Sequence, residues 1–362
     1  MKNIFFKKEN SMYDIVYVCG AFLPKWNPLD LNLGGSEQAV INLCNYWAKL
    51  GKKIAVYTDT NNNDKENVIH NGVEYINWRK FPFNHHFNTI ILWRSNGLFS
   101  IISFNITANN IFWDLHDNFA GQDLLVAKYL QYKYKITKVL LKSNYHKSEF
   151  EKYFNIKLQS SDYEIIPNGI RIDKFSNNWD NVSRNPYRFC YVSYYTRGLF
   201  HIIPGIWSII KKLEPRAELH IYYGMDMITD MDIKEKLTKL IQQPGIIDHG
   251  RQPVNIIVRE KYMSNFQLYI TNTISEIDCI SIKESLVCGC IPLISNFGVF
   301  IEREGIHFDC VENDLCLNKI ALDIINLLKN ISKLDILREV FKKSKTILSW
   351  DDIGNKILKI IK

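Results

Sequence analysis

No stretch of the chain approaches the ~18 consecutive apolar residues that a membrane-spanning helix needs, so it reads as soluble or, at most, peripheral to a membrane. The opening "MKNIFFKKENSMYD" has too short an apolar run for a secretory signal, and a cytoplasmic protein is expected. Eight cysteines contain no CxxC pair. Cys279, Cys288 and Cys290 match no zinc spacing, so the thiols are expected to be free and buried in a reducing compartment, with no metal. No G-x-G-x-x-G follows "DIVYVCGAFLP", which argues against a dinucleotide-dependent dehydrogenase. No Asp-x-Asp ends a strand-like run either. Asp230-Met231-Asp232 opens a polar helical segment and reads as N-terminal capping charge. Lys and Arg outnumber Asp and Glu 45 to 38, a net +7, but they are spread along the chain. That excludes a nucleic-acid-binding arm while suiting phosphate-bearing ligands or an anionic surface. Internal repeats and low-complexity tracts are also missing.

What is present is globular composition, 46% hydrophobic and 23% charged over 362 residues. That is too long for one ordinary core, so two domains are expected. "YDIVYVCG" (Tyr13–Gly20) is a β-branched run ending in glycine and reads as a buried strand. "GGSEQAVINLCNYWAKLGKK" follows, with Ala39, Val40, Leu43, Tyr46, Trp47 and Leu50 at helical spacing, and then "KIAVYT". Strand, helix, strand in that order is the signature of a parallel sheet. Further strands are expected at Asn88–Ser95, Asn109–His116, Lys138–Ser143 and Tyr163–Asn168. After the polar stretch Asn177–Pro186, read as a linker, "RFCYVSY", "AELHIYYG", "GIIDHG", "FQLYIT" and "CIPLIS" supply five more, separated by helical segments. The α/β fold class follows: two Rossmann-like parallel-sheet domains facing across a cleft, with ligands at the carboxyl ends of the strands. Boundaries are expected at 1–180, 181–345 and 346–362, the last a C-terminal helix.

Several constellations fall at those strand ends. Gly34-Gly35 opens the first long helix, where a bare backbone and free amides favour a phosphate or sugar oxygen. Equally, the glycines serve a loop of positive φ with Ser36 as N-cap. His116 ends a strand-like run and can bond a sugar hydroxyl, with Asp117 beside it to orient or polarise the ring. Arg197 stands where the second domain's first strand turns into a helix, a place suited to a bidentate pair with a diphosphate. Arg251, in "DHGRQP", ends another strand and can join it. Glu276 and Glu284 flank "IDCISIK". "SIKE" (Ser281–Glu284) fits a capping box, with Ser281 as N-cap and Glu284 reaching back. A cap at Ser281 breaks any continuous helix and leaves Glu276 on the loop before it, so both acids are expected to line one crevice at different depths.

These segments in this order resemble the retaining glycosyltransferases of family 4, whose fold is GT-B. The resemblance rests on "GGSEQAVINLCNYWAKLGKKIAVYT", "IIPNGIRIDKF", "RGLFHIIPGIWSIIKKLEPRAELHIYYG" and "SEIDCISIKESLVCGCIPLIS", and covers nearly the whole chain. Glu276 and Glu284 fit that family's Glu-x7-Glu signature. "ILSWDDIGNKILKII" resembles its C-terminal helix, which crosses back onto the first domain. The resemblance implies a nucleoside-diphosphate sugar as donor substrate, no further cofactor, and a glycan, lipid or protein-linked sugar as acceptor. It places Glu284 on the ribose hydroxyls, with Ile280 and Ser281 beside it at the donor. Glu276 and His116 fall at the transferred sugar, and Gly34 and Gly35 at the diphosphate or sugar. One departure stands out. The family's diphosphate clamp commonly pairs an Arg with a Lys, and Arg197 fits the Lys position while the Arg position falls near Val192 and Ser193. Arg251 is taken as the second clamp residue. The other functions this architecture allows are a non-hydrolysing nucleotide-sugar epimerase and a non-catalytic sugar-nucleotide-binding subunit.

Overall fold

A computed structural model describes residues 9–21, 25–30, 33–59, 67–119, 123–175, 179, 182–226, 228–272, 276–309 and 313–361. Of the stretch read as a linker, residues 177, 178, 180 and 181 lie outside these, as do residues 1–8 of the N-terminal segment. The chain forms two compact units, 1–169 with 350–362, and 170–349. The changeover at Gly169/Ile170 precedes the polar stretch read as the linker.

The first unit carries β1 (Glu9–Asn10), β2 (Ile15–Gly20), β3 (Ile54–Thr58), β4 (Val68–His70), β5 (Val73–Asn77), β6 (His85–Trp93), β7 (Thr107–Asp114), β8 (Lys138–Leu141) and β9 (Tyr163–Ile165). Their order is β4-β5-β3-β2-β6-β7-β8-β9, with β1 pairing on β6. All pairings are parallel except the β4–β5 hairpin. Both faces of β2 and β3 are buried. Continuous apolar runs such as Val16–Val18 and Ile54–Tyr57 are what a parallel sheet covered on both sides demands. The covering helices include α1 (Gly35–Lys49), α2 (Arg94–Ile101), α3 (Asp123–Tyr132) and α4 (Asn144–Phe154). At the end of β2, Gly20 has φ +68° and a Cβ there would sit 2.6 Å from the Asn96 carbonyl, so only glycine fits.

The C-terminal helix Trp350–Leu358 belongs to this first unit, as the fold class requires. Trp47 Nε1 donates to the Gly354 carbonyl at 3.1 Å, and Lys356 Nζ to the Ile165 carbonyl at 2.6 Å. A Cβ on Gly354 would meet the Tyr46 ring at 2.4 Å, so glycine is what lets the helix lie so close on α1.

The second unit is a six-stranded, all-parallel sheet ordered β12-β11-β10-β13-β14-β15. Its strands are β10 (Asn185–Val192), β11 (Glu218–Tyr222), β12 (Ile246–Asp248), β13 (Ser264–Tyr269), β14 (Ile291–Ser295) and β15 (Ile306–Phe308). Phe189, Tyr191, Leu219, Ile221, Phe266 and Leu268 form the heart of its core. Strand order reverses between β2 and β6 in the first sheet and between β10 and β13 in the second. At such points neighbouring connections leave to opposite faces and a crevice opens at the carboxyl edge. Six described cysteines are free and buried. Cys316 is disulfide-bonded, so the expectation of free thiols throughout does not hold for it.

Candidate active site

In the first unit, residues from β2, β7 and β8 converge on one buried carboxylate. Asp114 ends β7 and is 1% exposed. His116 lies two positions on, so strand alternation returns it to the same side. Its Nε2 donates to Asp114 Oδ2 at 2.9 Å, Lys142 Nζ to Oδ1 at 2.5 Å, and the Tyr17 hydroxyl completes the set. Burial alone would raise the Asp114 pKa, but the His116 and Lys142 charges hold it well below the usual carboxylate range. The His116 side chain is only 3% exposed, and burial lowers its pKa. Asp117, expected to orient His116, does something else. Its carboxylate makes a bidentate pair with Arg94, whose Nη2 donates at 2.7 Å, and its carbonyl accepts from His146 Nε2 at 3.1 Å. Asp114 is therefore the residue that holds His116, because a side chain one position along the chain points away while one two positions back points with it.

His146 was not singled out in the sequence. It lies in the first turn of α4, which Ser143 caps by accepting the His146 amide at 3.0 Å. Its Nδ1 accepts the Lys142 amide at 3.2 Å and its ring stacks on Phe119 at 5.1 Å. Both nitrogens are committed to the neutral Nε2–H tautomer. Burial, with the Lys142 charge, pushes its pKa down to about 3. A folded pKa below the unfolded value means stability is complete above pH ~6.5 and is lost as pH falls towards 3. Acidifying from pH 7.5 to 5 should cost the first unit about 2 kcal/mol from this residue, with His116 acting in the same direction. Hydrogen exchange of the β7 and β8 amides measures it. Equal protection at both pH values would refute a neutral, buried His146.

Gly34 and Gly35 open α1 as expected, but Gly34 is itself the N-cap, with φ −71° and ψ 172°. Neither the positive φ nor the Ser36 cap of the alternative reading is found. Ser36 Oγ donates to Glu37 instead. A Cβ on Gly34 would sit 2.5 Å from Glu37 Oε2, so the bare backbone there is what admits the Glu37 side chain.

In the second unit the crossover between β10 and β13 holds Arg197 and Glu276. Arg197 closes a short 3-10 turn (Tyr195–Arg197) just beyond β10. Its Nη1 pairs with Glu276 Oε1, and that charge raises its pKa further. Tyr269, from the end of β13, donates to the same Oε1 at 2.6 Å and accepts from Ser193 Oγ at 2.8 Å. Ser193, next to where the resemblance would place a clamp arginine, instead supports the tyrosine that bonds this carboxylate. The loop carrying Glu276 is fixed by Asp278, 1% exposed, which bonds Lys283 Nζ at 2.7 Å and pairs with Arg303. Arg251 is brought to neither acid. Its guanidinium lies 5.6 Å from the Tyr223 ring centroid.

The capping box is not formed. The helix Ile280–Val287 starts two residues too early, with Cys279 as N-cap at φ 55° and no side-chain cap bond. Ser281 Oγ accepts from Gln267 Nε2 at 2.8 Å and from Lys261 Nζ at 3.1 Å. Lys261, from the helix Val254–Met263, is fully buried and donates also to the Ser281 carbonyl at 2.6 Å and to Glu284 Oε2 at 3.1 Å. Glu284 is thus a partly exposed carboxylate seated on a buried ammonium, not a cap.

Asp230 does cap its helix, accepting from the Asp232 and Ile233 amides at 3.0 and 3.1 Å. Among the described residues one set of metal-ligand types converges, His220, His249 and Glu260, with ligand atoms within 4.8 Å of one another. Arg188 already fills it, donating to Glu260 at 2.8 and 2.6 Å and to His220 at 3.0 Å. A guanidinium is the cation there.

No family model matches the chain, and neither does any curated protein sequence. Solved structures do match in fold. Sucrose-phosphate synthase from Thermosynechococcus elongatus superposes with a TM-score of 0.74 at 13% identity, over 96% of this chain and 98% of that one. A glycosyltransferase from Rickettsia africae gives 0.69 at 16% identity, over 98% of each. Anabaena HepE, in complex with UDP and glucose, gives 0.70 at 11% identity, over 96% and 98%. At such identities the likeness is one of fold. The chain has the GT-B fold of these glycosyltransferases.

Proposed function

We propose that this protein is a retaining, family-4-like glycosyltransferase, moving a sugar from a nucleoside diphosphate to a glycan, lipid or protein-linked acceptor. The observation that carries the reading is the Arg197–Glu276–Tyr269 cluster at the second sheet's crossover, with Glu284 on the helix that follows. Arg197 binds the diphosphate and, with nearby helix amides, stabilises the charge that develops as it departs. Glu276, oriented by Tyr269, sits beside the transferred sugar. Glu284 accepts the ribose hydroxyls, and Ile280 and Ser281 shape the same helix start. Arg251 on Tyr223 supplies the second contact to the nucleotide. Gly34, Gly35 and His116 meet the donor from the first unit, His116 being held by Asp114 rather than by Asp117. No metal or other cofactor takes part. HepE, a fold neighbour, was solved with UDP and glucose, so uridine donors are the first to test.

Incubation with labelled nucleotide sugars and simple sugar acceptors tests the reading. Transfer, or slow donor hydrolysis, with retained anomeric configuration is expected. An isomerised sugar would make the protein an epimerase, and binding without turnover a non-catalytic subunit. Activity should survive EDTA. Complete loss on chelation, restored by magnesium or manganese, would overturn the metal-free mechanism.

Arg197→Ala should weaken nucleoside diphosphate binding by about 1.5–3 kcal/mol, the range for hydrogen bonds to charged groups, while the nucleoside alone binds nearly as before. Calorimetric titration of both ligands measures this. Equal losses for the two would remove Arg197 from the diphosphate.

A further inference from the structure

We infer that the stacked pair His220 and His249 is a proton-operated latch on the loop that carries Arg251. His249 follows β12, and its ring lies flat on Tyr222, with 4.5 Å between centroids and 5° between planes. The His220 ring is 5.1 Å away on the same stack, and its Nδ1 lies 2.8 Å from His249 Nε2. Arg188 fixes where the protons are, because a guanidinium can only donate. Its Nη2 is 3.0 Å from His220 Nδ1, so that nitrogen is bare. The His220 proton is therefore on Nε2, which donates to Glu218 Oε2 at 3.2 Å, and His249 donates through its own Nε2. A proton arriving on His220 Nδ1 would face two N–H donors. The bond that holds His249 would then be lost.

The acids nearby are already engaged. Glu260, from the helix Val254–Met263, accepts from Arg188 twice, from the Tyr222 hydroxyl at 2.5 Å and from Ser264 Oγ at 2.6 Å. Asp248 accepts from the Tyr195 hydroxyl and from the Gly250 amide, the latter at 2.9 Å. Burial, with the Arg188 charge, lowers the pKa of both rings against the pull of Glu260. The latch is thus fully closed above the unfolded histidine value near pH ~6.5 and opens as pH falls towards the lower folded values. The loop it holds is under tension. Tyr223 sits at φ 142°, a costly conformation for a residue with a side chain, and its amide donates to the Gly250 carbonyl at 3.1 Å. Gln252 Nε2 donates to the His249 carbonyl at 2.6 Å. Release of His249 lets Tyr223 relax and withdraws Arg251 from its ring. A loss of nucleotide affinity at acid pH rests on the function proposed above; the latch itself does not.

Hydrogen exchange of the full-length protein at pH 7.5 and pH 5.0, corrected for intrinsic rates, tests the latch. The Tyr223 and His249 amides should lose protection about tenfold or more at the lower pH, independently of low urea, the mark of a local opening. Protection that falls only in step with the β13 amides, and with their urea dependence, would be unfolding of the whole unit and would overturn the inference. His220→Asn keeps an acceptor near the Nδ1 position and cannot titrate, so its loop should keep most of its protection at pH 5.0. Opening of that variant to the same extent as the unmodified protein would also overturn it. His249→Ala, which lacks the latch, should open at both pH values and expose the bond after Arg251 to trypsin. Calorimetric titration of UDP reads the consequence: affinity should fall about tenfold between the two pH values, and less in His220→Asn. A loop that opens without a matching fall in UDP affinity would support the latch and remove Arg251 from the nucleotide.

Discussion

Asp114→Ala should destabilise the first unit by about 3–5 kcal/mol, the cost of leaving a buried charge unpaired. Lys142 is 2% exposed, so removing the carboxylate leaves its ammonium buried without its counter-charge. The Tyr17 hydroxyl and His116 Nε2 lose their acceptor in the same step. The arithmetic changes if both charges are removed. Asp114→Ala combined with Lys142→Met leaves no orphaned ion, so the double variant should recover a large part of the loss. That coupling separates an ion-pair effect from a cavity effect, which would make the two losses add. The pH dependence follows from the depressed pKa of Asp114. Its stabilisation is fully present above the unfolded carboxylate value near pH ~4 and is lost as pH falls towards the lower folded value. Chemical denaturation of the single and double variants at neutral pH decides the matter. A loss under about 1 kcal/mol for Asp114→Ala would mean that solvent or another group satisfies Lys142. Activity should fall along with stability, because His116 takes its orientation from this carboxylate.

Much of the architecture could be read from the sequence because parallel strands buried on both faces leave continuous apolar runs. β2, β3, β6, β7 and β8 and the five strands β10–β14 stand where those runs stand. The hairpin β4–β5 was missed although its turn is written as Asn71-Gly72, both at positive φ, the pairing that two-residue hairpins favour. β15, three residues long, carries too short an apolar run to announce itself. The candidate sites were legible only in part. Strand ends and glycine turns drew attention to His116, Arg197, Glu276 and Glu284, but their partners come from distant sequence. Asp114, Lys142, Lys261 and Tyr269 look like ordinary strand-end or helical residues until the sheet brings them together. Ser281-x-x-Glu284 misled for a different reason. A pattern of residue types does not reveal that Cys279 adopts φ 55°, a conformation costly for a non-glycine residue and kept only where its surroundings enforce it. The buried cluster of Asp278, Lys283 and Arg303 provides that enforcement and starts the helix early.

That early start sharpens the contrast between the two glutamates. Glu284→Gln should mainly weaken nucleoside diphosphate affinity, by about tenfold, with turnover at saturating donor little changed. Glu276→Gln should do the reverse and lower turnover by roughly 10²-fold, the scale seen when one transition-state electrostatic contact is removed. Its diphosphate affinity should be unchanged or tighter, because Arg197 is released from its carboxylate partner. The split between kcat and KM is the diagnostic. Lys261 supplies the third arm. Its ammonium lies beneath Glu284 and bonds Ser281 twice, so it sets both the direction of that carboxylate and the start of the helix. Lys261→Met, which keeps the volume and removes the cation, should reproduce the affinity loss of Glu284→Gln without the turnover loss of Glu276→Gln. Since Glu284 caps nothing, normal nucleotide binding by Glu284→Gln cannot be explained by a glutamine keeping a capping box. Such a result would leave Glu284 as no more than the counter-ion of Lys261, and its assignment to the ribose would fall.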